Sequence, residues 1–293
     1  MRAAASFAAS FAATVAAVGV MAACAPPDVC GAGGTRAPTP TSPSPRAGLL
    51  ARAHAHNDYE HERPLEDALD AGFLSVEVDV WHRGGTIAVS HDPFTSRGEL
   101  AGLYLAPLDA RLREQGTVYG DGEAFTVWLD LKDGRPELRA LLRDTLESLP
   151  WLRHFDDDDE ANDSAEEGAV TVIITGDGGS KRALLDEVPA PRPFLVDDND
   201  VPHPESDIDA GVGAFALNFN RYLGSWDGIA PAPDELRSRG ACIVARAHGE
   251  RRRPVRFFGG PDTTAAWDLA LDIGADFINT DDLAGLAAHL AGR

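Results

Sequence analysis

Apolar residues recur along this chain in two rhythms, and the two rhythms alternate. Short runs of period two, or of nearly unbroken β-branched residues, predict strands near residues 51, 76, 127, 172, 195, 215, 256 and 277. Leu74–Trp81 (LSVEVDVW) shows the strand period most clearly, because apolar side chains alternate with Ser75, Glu77 and Asp79. Gly84-Gly85 then turns the chain into Thr86–Ser90, a hairpin partner for that strand. Between the strands lie stretches bounded by helix signals. PLEDALDAG opens at Pro64 and stops at Gly72, and the segment 136–149 starts on proline with Pro150 beyond its end. Further helices are expected over Leu100–Gln115, Lys181–Glu187, Asp234–His248 interrupted by Gly240, Asp262–Ile273 capped by Asp262, and Asp282–Leu290. Strands alternating with helices predict a parallel sheet. Eight of them suit a TIM (β/α)8 barrel, with the hairpin strand as an extra after the second barrel strand. A doubly wound sheet would carry a glycine fingerprint after its first strand. This chain has HNDYEH there.

The same period places chemistry. Glu77 and Asp79 are two apart on one strand, so their side chains share a face. Neighbouring carboxylates repel and raise each other's pKa unless a cation lies between them. A divalent metal is the simplest such cation; a merely solvated face of an edge strand is the alternative. The flanks favour chemistry. His54 and His56 close the first strand, Asn57 follows, and His91-Asp92 ends the hairpin strand. Asp130 and Lys132 form another pair spaced by two. Polar groups at the ends of successive strands are what a β/α barrel gathers at its catalytic mouth.

Composition narrows the partners. The 293 residues carry a net charge of −21, which excludes nucleic acid as a natural partner. Part of that charge is local: the run 156–167 holds eight acidic residues and no basic one, and reads as a solvated loop. Three cysteines give neither a disulfide framework nor a CxxC metal site. Residues 1–23 read as a signal peptide, with Arg2 followed by an Ala-, Val- and Phe-rich run. They end in VMAAC, and small residues before Cys24 resemble the lipobox of bacterial lipoproteins. Residues 24–48 are rich in Pro, Ser, Thr and Gly, the composition of a tether. The expected organisation is leader, tether and one barrel over 49–293. Its location is then the outside of a cell membrane by a lipid anchor, or otherwise the secreted fraction.

The motifs resemble the phospholipase C-like phosphodiesterase superfamily of TIM barrels. Within it they resemble the glycerophosphodiesterase-like family named for altered inheritance of mitochondria protein 6. Ala55-His56-Asn57-Asp58-Tyr59 is similar to the first-histidine motif, and Glu77-Val78-Asp79 to the metal-binding pair. His91-Asp92 is similar to the second-histidine motif, and Asp130 with Lys132 to the third ligand and its lysine. Arg256-Phe257-Phe258 and residues 274–282 are similar to the last two strands. Asn57 and Asp130 stand where many glycerophosphodiesterases carry arginine and glutamate, which leaves the head group open.

The resemblance implies a metal-dependent phosphoric diester hydrolase acting on a phospholipid head group or a glycerophosphodiester. Glu77, Asp79 and Asp130 would hold Ca²⁺ or Mg²⁺, with Asn57 as a fourth ligand; all-oxygen ligands suit hard cations. His56 and His91 would serve as general acid and base, in an order left open, and Lys132 would hold a phosphate oxygen. A second reading is a tethered, non-catalytic binder of a phospho-ligand or glycan on the same barrel. The pair of histidines argues for catalysis. A glycosidase needs carboxylates about 5–10 Å apart across a sugar, which next-but-one neighbours on one strand do not supply.

Overall fold

The computed structural model of the protein describes residues 48–120, 122–157, 169–200, 211–249 and 252–292. The expected leader, the tether up to residue 47 and most of the acidic run lie outside the described residues. Of that run, Asp157 accepts a 2.7 Å bond from Arg192.

The strands are β1 (Leu50–Ala55), β2 (Phe73–Arg83), β3 (Thr86–Val89), β4 (Gly98–Glu99), β5 (Phe125–Leu131), β6 (Val170–Gly176), β7 (Leu195–Asp198), β8 (Val212–Asn218), β9 (Val255–Phe258) and β10 (Ile278–Thr280). The fold is mixed α/β with one ten-stranded sheet. Eight strands run parallel in the order β10-β1-β2-β5-β6-β7-β8-β9. β3 pairs antiparallel with the second half of β2, and β4 adds to β3. All the strands expected from the sequence are present, with β4 in addition.

The ladder does not close into the expected barrel. β9 and Phe277, the residue before β10, meet through one isolated parallel bridge at Arg256. The Val255 N–H donates to the Asp276 carboxylate at 2.8 Å, and Asp276 also contacts His248 at 2.7 Å. The Val255 carbonyl accepts from the Asp276 and Phe277 N–H groups at 2.9 and 3.2 Å, so Val255 and Asp276 together close the N-terminal end of this single bridge.

The helices are α1 (Glu66–Asp70), α2 (Ala106–Gln115), α3 (Pro136–Glu147), α4 (Gly178–Glu187), α5 (Phe219–Tyr222), α6 (Asp234–Ala247), α7 (Thr264–Ile273) and α8 (Leu283–Ala291). Three expectations need correction. A π-helical turn at Ala101–Leu105 precedes α2, so Leu100–Gln115 is not one α-helix. α6 runs unbroken through Gly240, whose missing Cβ leaves room for Ile273 of α7; a Cβ would lie 2.9 Å from that side chain. The glycine serves close helix packing rather than a break. The cap of α7 is Thr263, whose hydroxyl accepts from the Ala266 N–H at 3.3 Å. Asp262 instead ties Trp267 to Thr280 and the Asp281 backbone. Cys242 in α6 is disulfide-bonded, which the sparse cysteine content did not foretell.

Burial follows the strand period. Val76, Val78 and Val80 of β2, with Val127, Leu129 and Leu131 of β5, belong to the large core that also holds residues of α1 to α4. A second cluster joins β8 and β9 to α6 and α7. Trp128, Ile173, Ala214 and Ala216 form a third, small cluster with Phe258 and Phe277. Trp128 alternates with Val127 and Leu129, so this third cluster lies on the opposite face of the strands. Glu77 and Asp79 alternate with the valines in the same way, and share that inner face with Trp128.

Candidate active site

The site begins with register. β2 and β5 pair so that Glu77 lies beside Trp128 and Asp79 beside Asp130. Two carboxylates from adjacent strands therefore meet side by side at their C-terminal ends. The Lys132 ammonium bridges them, 3.1 Å from Asp79 and 3.0 Å from Asp130. Burial by itself would lower the Lys132 pKa, but the charges of Asp130 and Asp79 outweigh it and raise it. The buried Tyr59 hydroxyl lies 2.8 Å from the Asp79 carboxylate, to which its one proton can be donated, and 2.9 Å from the Asn57 side-chain amide. His91, two-thirds exposed on the loop after β3, sits 3.1 Å from the same Asp79 oxygen. Next to Asp130, on β6, Gly176 has φ +88°, and a Cβ there would collide with the Asp130 carboxylate.

Glu77 is neutralised from across the sheet. Arg256 of β9 donates to it at 2.6 Å, and the two side chains are almost wholly buried. Burial alone would raise the Glu77 pKa. The Arg256 charge, followed by those of His54 and His56, overrides it and holds the carboxyl at about 2. Arg256 also lies 4.2 Å over the Trp128 ring and 2.9 Å from His54. His54 completes this inner layer by bonding Ser75 at 2.7 Å, so it supports the site from below rather than facing its mouth. Sequence reasoning gave the carboxylate pair a metal as its cation. The structure adds Arg256 and Lys132 as protein cations for the same pair. Arg256 falls in the motif similar to the family's last strands, and that resemblance assigns it no role. The usable signal was a charge inside the apolar run Val255–Phe258.

His56 closes the other side. Its Nδ1 is 2.8 Å from Asp281 just after β10, and its Nε2 is 3.5 Å from Glu77. Burial would lower its pKa, but the bond to Asp281 and the charge of Glu77 raise it above the usual value. Asn57 adopts left-handed backbone, φ 46° and ψ 42°, a conformation asparagine tolerates. That turn carries the Asn57 amide to 3.2 Å from the His56 ring.

Asp58 anchors the loop from beneath. It is fully buried, accepts from the Leu65 N–H at 2.6 Å and from the Tyr104 hydroxyl at 2.7 Å. Burial pushes its carboxyl from 3.8 up to about 6, against those two bonds. The folded state thus holds this proton more tightly than the unfolded chain. Its contribution to stability is complete below pH 3.8 and is lost as pH rises through 6. We expect wild type to lose about 2–3 kcal/mol more than Asp58→Asn between pH 4 and 7 in urea unfolding. Parallel stability curves for the two proteins would refute this.

The donor set fits a hard cation in one respect. Glu77 Oε2 and Asp79 Oδ1 are buried oxygens with no hydrogen-bond partner. Buried carboxylate oxygens without a partner are costly, so a ligand that satisfies them is expected. As the side chains stand, with Lys132 between Asp79 and Asp130, no three His, Cys, Asp or Glu converge on one point among the described residues.

Residues 48–187 match the family model of the AIM6-like phosphodiesterase domain. The match bears out the resemblance read from the motifs. Altered inheritance of mitochondria protein 6 of Eremothecium gossypii is 27% identical over 270 residues, 80% of this chain and 68% of that protein. The protein of that name from Lachancea thermotolerans is 27% identical over 279 residues, 80% of this chain and 64% of its own. A homolog from Arthroderma benhamiae is 30% identical over 149 residues, 42% of this chain. The AIM6-like stretch runs from β1 to the end of α4. It contains His56, Asn57, Glu77, Asp79, His91, Asp130 and Lys132. Arg256 and Asp281, which hold Glu77 and His56, come from beyond it.

Proposed function

We propose that this chain is a metal-dependent phosphoric diester hydrolase acting on a phospholipid head group or a glycerophosphodiester. In this reading the eight parallel strands act as a (β/α)8 barrel with a thin seam between β9 and β10. One observation carries the reading. Two histidines from different strand ends flank a buried carboxylate pair, and each carboxylate has one oxygen without a hydrogen-bond partner, that of Glu77 lying 3.5 Å from the His56 ring. A Ca²⁺ or Mg²⁺ held by Glu77, Asp79 and Asp130, with Asn57 as fourth ligand, would neutralise phosphate oxygens and acidify the attacking hydroxyl.

The chain's own residues do the rest. Water, or a hydroxyl next to the phosphodiester, attacks phosphorus while one histidine takes its proton. The bond from phosphorus to the leaving oxygen breaks as the other histidine protonates that oxygen. Asp281 orients His56, and Asp79 with Tyr59 orients His91. Lys132 turns from its carboxylates to a non-bridging oxygen, where its charge offsets the developing negative charge.

Glu77→Gln keeps the side-chain shape and removes the charge. It is expected to weaken metal binding and nearly abolish turnover of glycerophosphodiesters, measured by phosphomonoester release with Ca²⁺ or Mg²⁺. Undiminished wild-type turnover in excess chelator would sink the metal role. A second reading has its own observation: Lys132 and Arg256 already neutralise the carboxylates. That favours a binder of a phospho-ligand, which would bind in chelator and never turn over.

The leader and the tether support export, with Cys24 as lipid anchor or plain secretion as the alternative. Cys24→Ala should move the protein from the membrane fraction to the soluble one. Wild type found wholly in the soluble fraction would remove the anchor.

A further inference from the structure

Two large apolar side chains among the described residues are strongly exposed, Phe94 at 91% and Ile229 at 83%. Single exposed apolar residues are ordinary on a protein surface. The placement of these two is not. Phe94 lies on the loop 90–97, which also brings His91 to Asp79. Ile229 lies on the other flank of the site. The carbonyl of its neighbour Gly228 accepts from the Thr263 hydroxyl at 2.8 Å. Asp262, next to Thr263, accepts from the Asp281 N–H at 2.8 Å, and Asp281 holds His56. Each candidate acid–base histidine thus has one bare apolar tip on its side of the mouth.

Both tips sit on loops that polar bonds hold in place. Asp92 accepts from the Phe94 N–H at 2.7 Å and the Thr95 N–H at 3.0 Å, and Arg83 donates to the Asp92 carbonyl at 3.0 Å. Asp227 accepts from the Ile229 N–H at 3.0 Å. A loop already ordered loses less freedom when it binds. The tips stand on opposite flanks of a polar site, not in one patch of the kind a protein interface buries at its core. A fluid apolar medium can close around each separately. The net charge of −21 narrows that medium further. Such a chain gains nothing from anionic lipid, so contact with a bilayer has to come from apolar insertion. The tether read from residues 24–48 has an end-to-end span of about 25–30 Å, which leaves this face free to turn to a membrane.

We infer that Phe94 and Ile229 seat this face on the surface of a lipid bilayer, so that the diester cleaved is a phospholipid drawn from a membrane. The inference rests on the phosphodiesterase reading and chooses between its two substrate classes. A glycerophosphodiester free in solution would gain nothing from either side chain. Moving one such side chain from water into acyl chains is worth roughly tenfold to a hundredfold in partition.

The test compares full chains that all carry Cys24→Ala, so that any pull from the leader is common to them. Partition onto phosphatidylcholine vesicles is measured by flotation with Ca²⁺ or Mg²⁺. Phe94→Ser combined with Ile229→Ser should cut partition by about tenfold or more. Added salt should not weaken the binding of the parent chain, because no charge attraction carries it. Phe94→Trp should strengthen binding, a gain that misfolding cannot mimic. Turnover is followed on phosphatidylinositol and phosphatidylethanolamine in those vesicles, and on their deacylated diesters in solution. The double serine variant should slow the first in proportion to its lost partition and leave the second unchanged. Equal partition of variant and parent overturns the inference and leaves the hydrolase reading standing. So does binding that needs anionic lipid and fails in salt, or a variant whose one effect is to dissolve a dimer of this chain. If no diester is cleaved in either form, the hydrolase reading falls and partition alone decides the contact. A loss in the serine variant then upholds the seat on the bilayer, and no loss overturns it as well.

Discussion

Replacing either His56 or His91 with alanine is expected to slow diester turnover by on the order of 10²–10⁴, the usual worth of general acid–base catalysis. The two rings stand on opposite sides of the carboxylate pair, one against Glu77 and Asp281, the other against Asp79. If one takes a proton while the other gives one, rate against pH is bell-shaped, and both limbs belong to the pair. KM should change little, since Lys132 and the carboxylate side of the site remain. The double variant should be little slower than the slower single variant, because groups that act as a unit do not lose rate additively. A substrate with a good leaving group needs no general acid. It should rescue the variant that lacks the acid and fail to rescue the variant that lacks the base, which assigns the roles. Two single variants with near-full activity on a natural diester would end the two-histidine mechanism.

Arg256→Met is expected to destabilise the protein by about 3–5 kcal/mol, as when one partner of a buried ion pair is removed. Methionine keeps an unbranched chain over Trp128, so packing changes less than charge. What it removes is the 2.6 Å bond to Glu77 and the contact with His54. Glu77 is then a buried carboxylate without its cation. Its folded pKa of about 2 against an ordinary 4.5 means that its stabilisation is full above pH 4.5 and is lost as pH falls through 2. The cost of Arg256→Met should accordingly shrink toward acid. Adding Glu77→Gln should recover much of the loss, since the stranded charge goes with it. Urea unfolding of the four proteins at pH 7 measures this cycle. A cost below about 1 kcal/mol, or no recovery in the double variant, would refute the account.

The strands and the face of the carboxylates were legible because both follow a period of two. In LSVEVDVW the valines fill the outer core, and Glu77 and Asp79 take the other face without further information. His56, His91 and Lys132 were legible as strand-end residues, and the structure gathers them around those carboxylates. The partners were not. Arg256 lies 179 residues from Glu77, and Asp281 lies 225 from His56. No local pattern links such positions; only the order of strands around the sheet does. The seam was hidden for a related reason. It lies where β9 and the residue before β10 meet through a single bridge, and no local pattern marks that place. Gly240 was misread because a glycine in a helix signals either a break or a close approach, and only Ile273 opposite it decides which.

The pairing of β1 bears on what can be inherited as a unit. β1 has the second strand on one side and the last on the other, with Ala53, His54 and Ala55 in register with Ile278, Asn279 and Thr280. The stretch 48–187, which the family match delimits, ends before either β7 or β10. Severed at that point, it would expose the outer edges of β1 and β6, two hydrophobic edges open to aggregation. It would also part Glu77 from Arg256 and His56 from Asp281. On a ribosome the nascent chain meets the same condition: the first strand waits, one edge bare, until the last has emerged. The matched half is recognisable in sequence, yet it is no module that recombination could move alone.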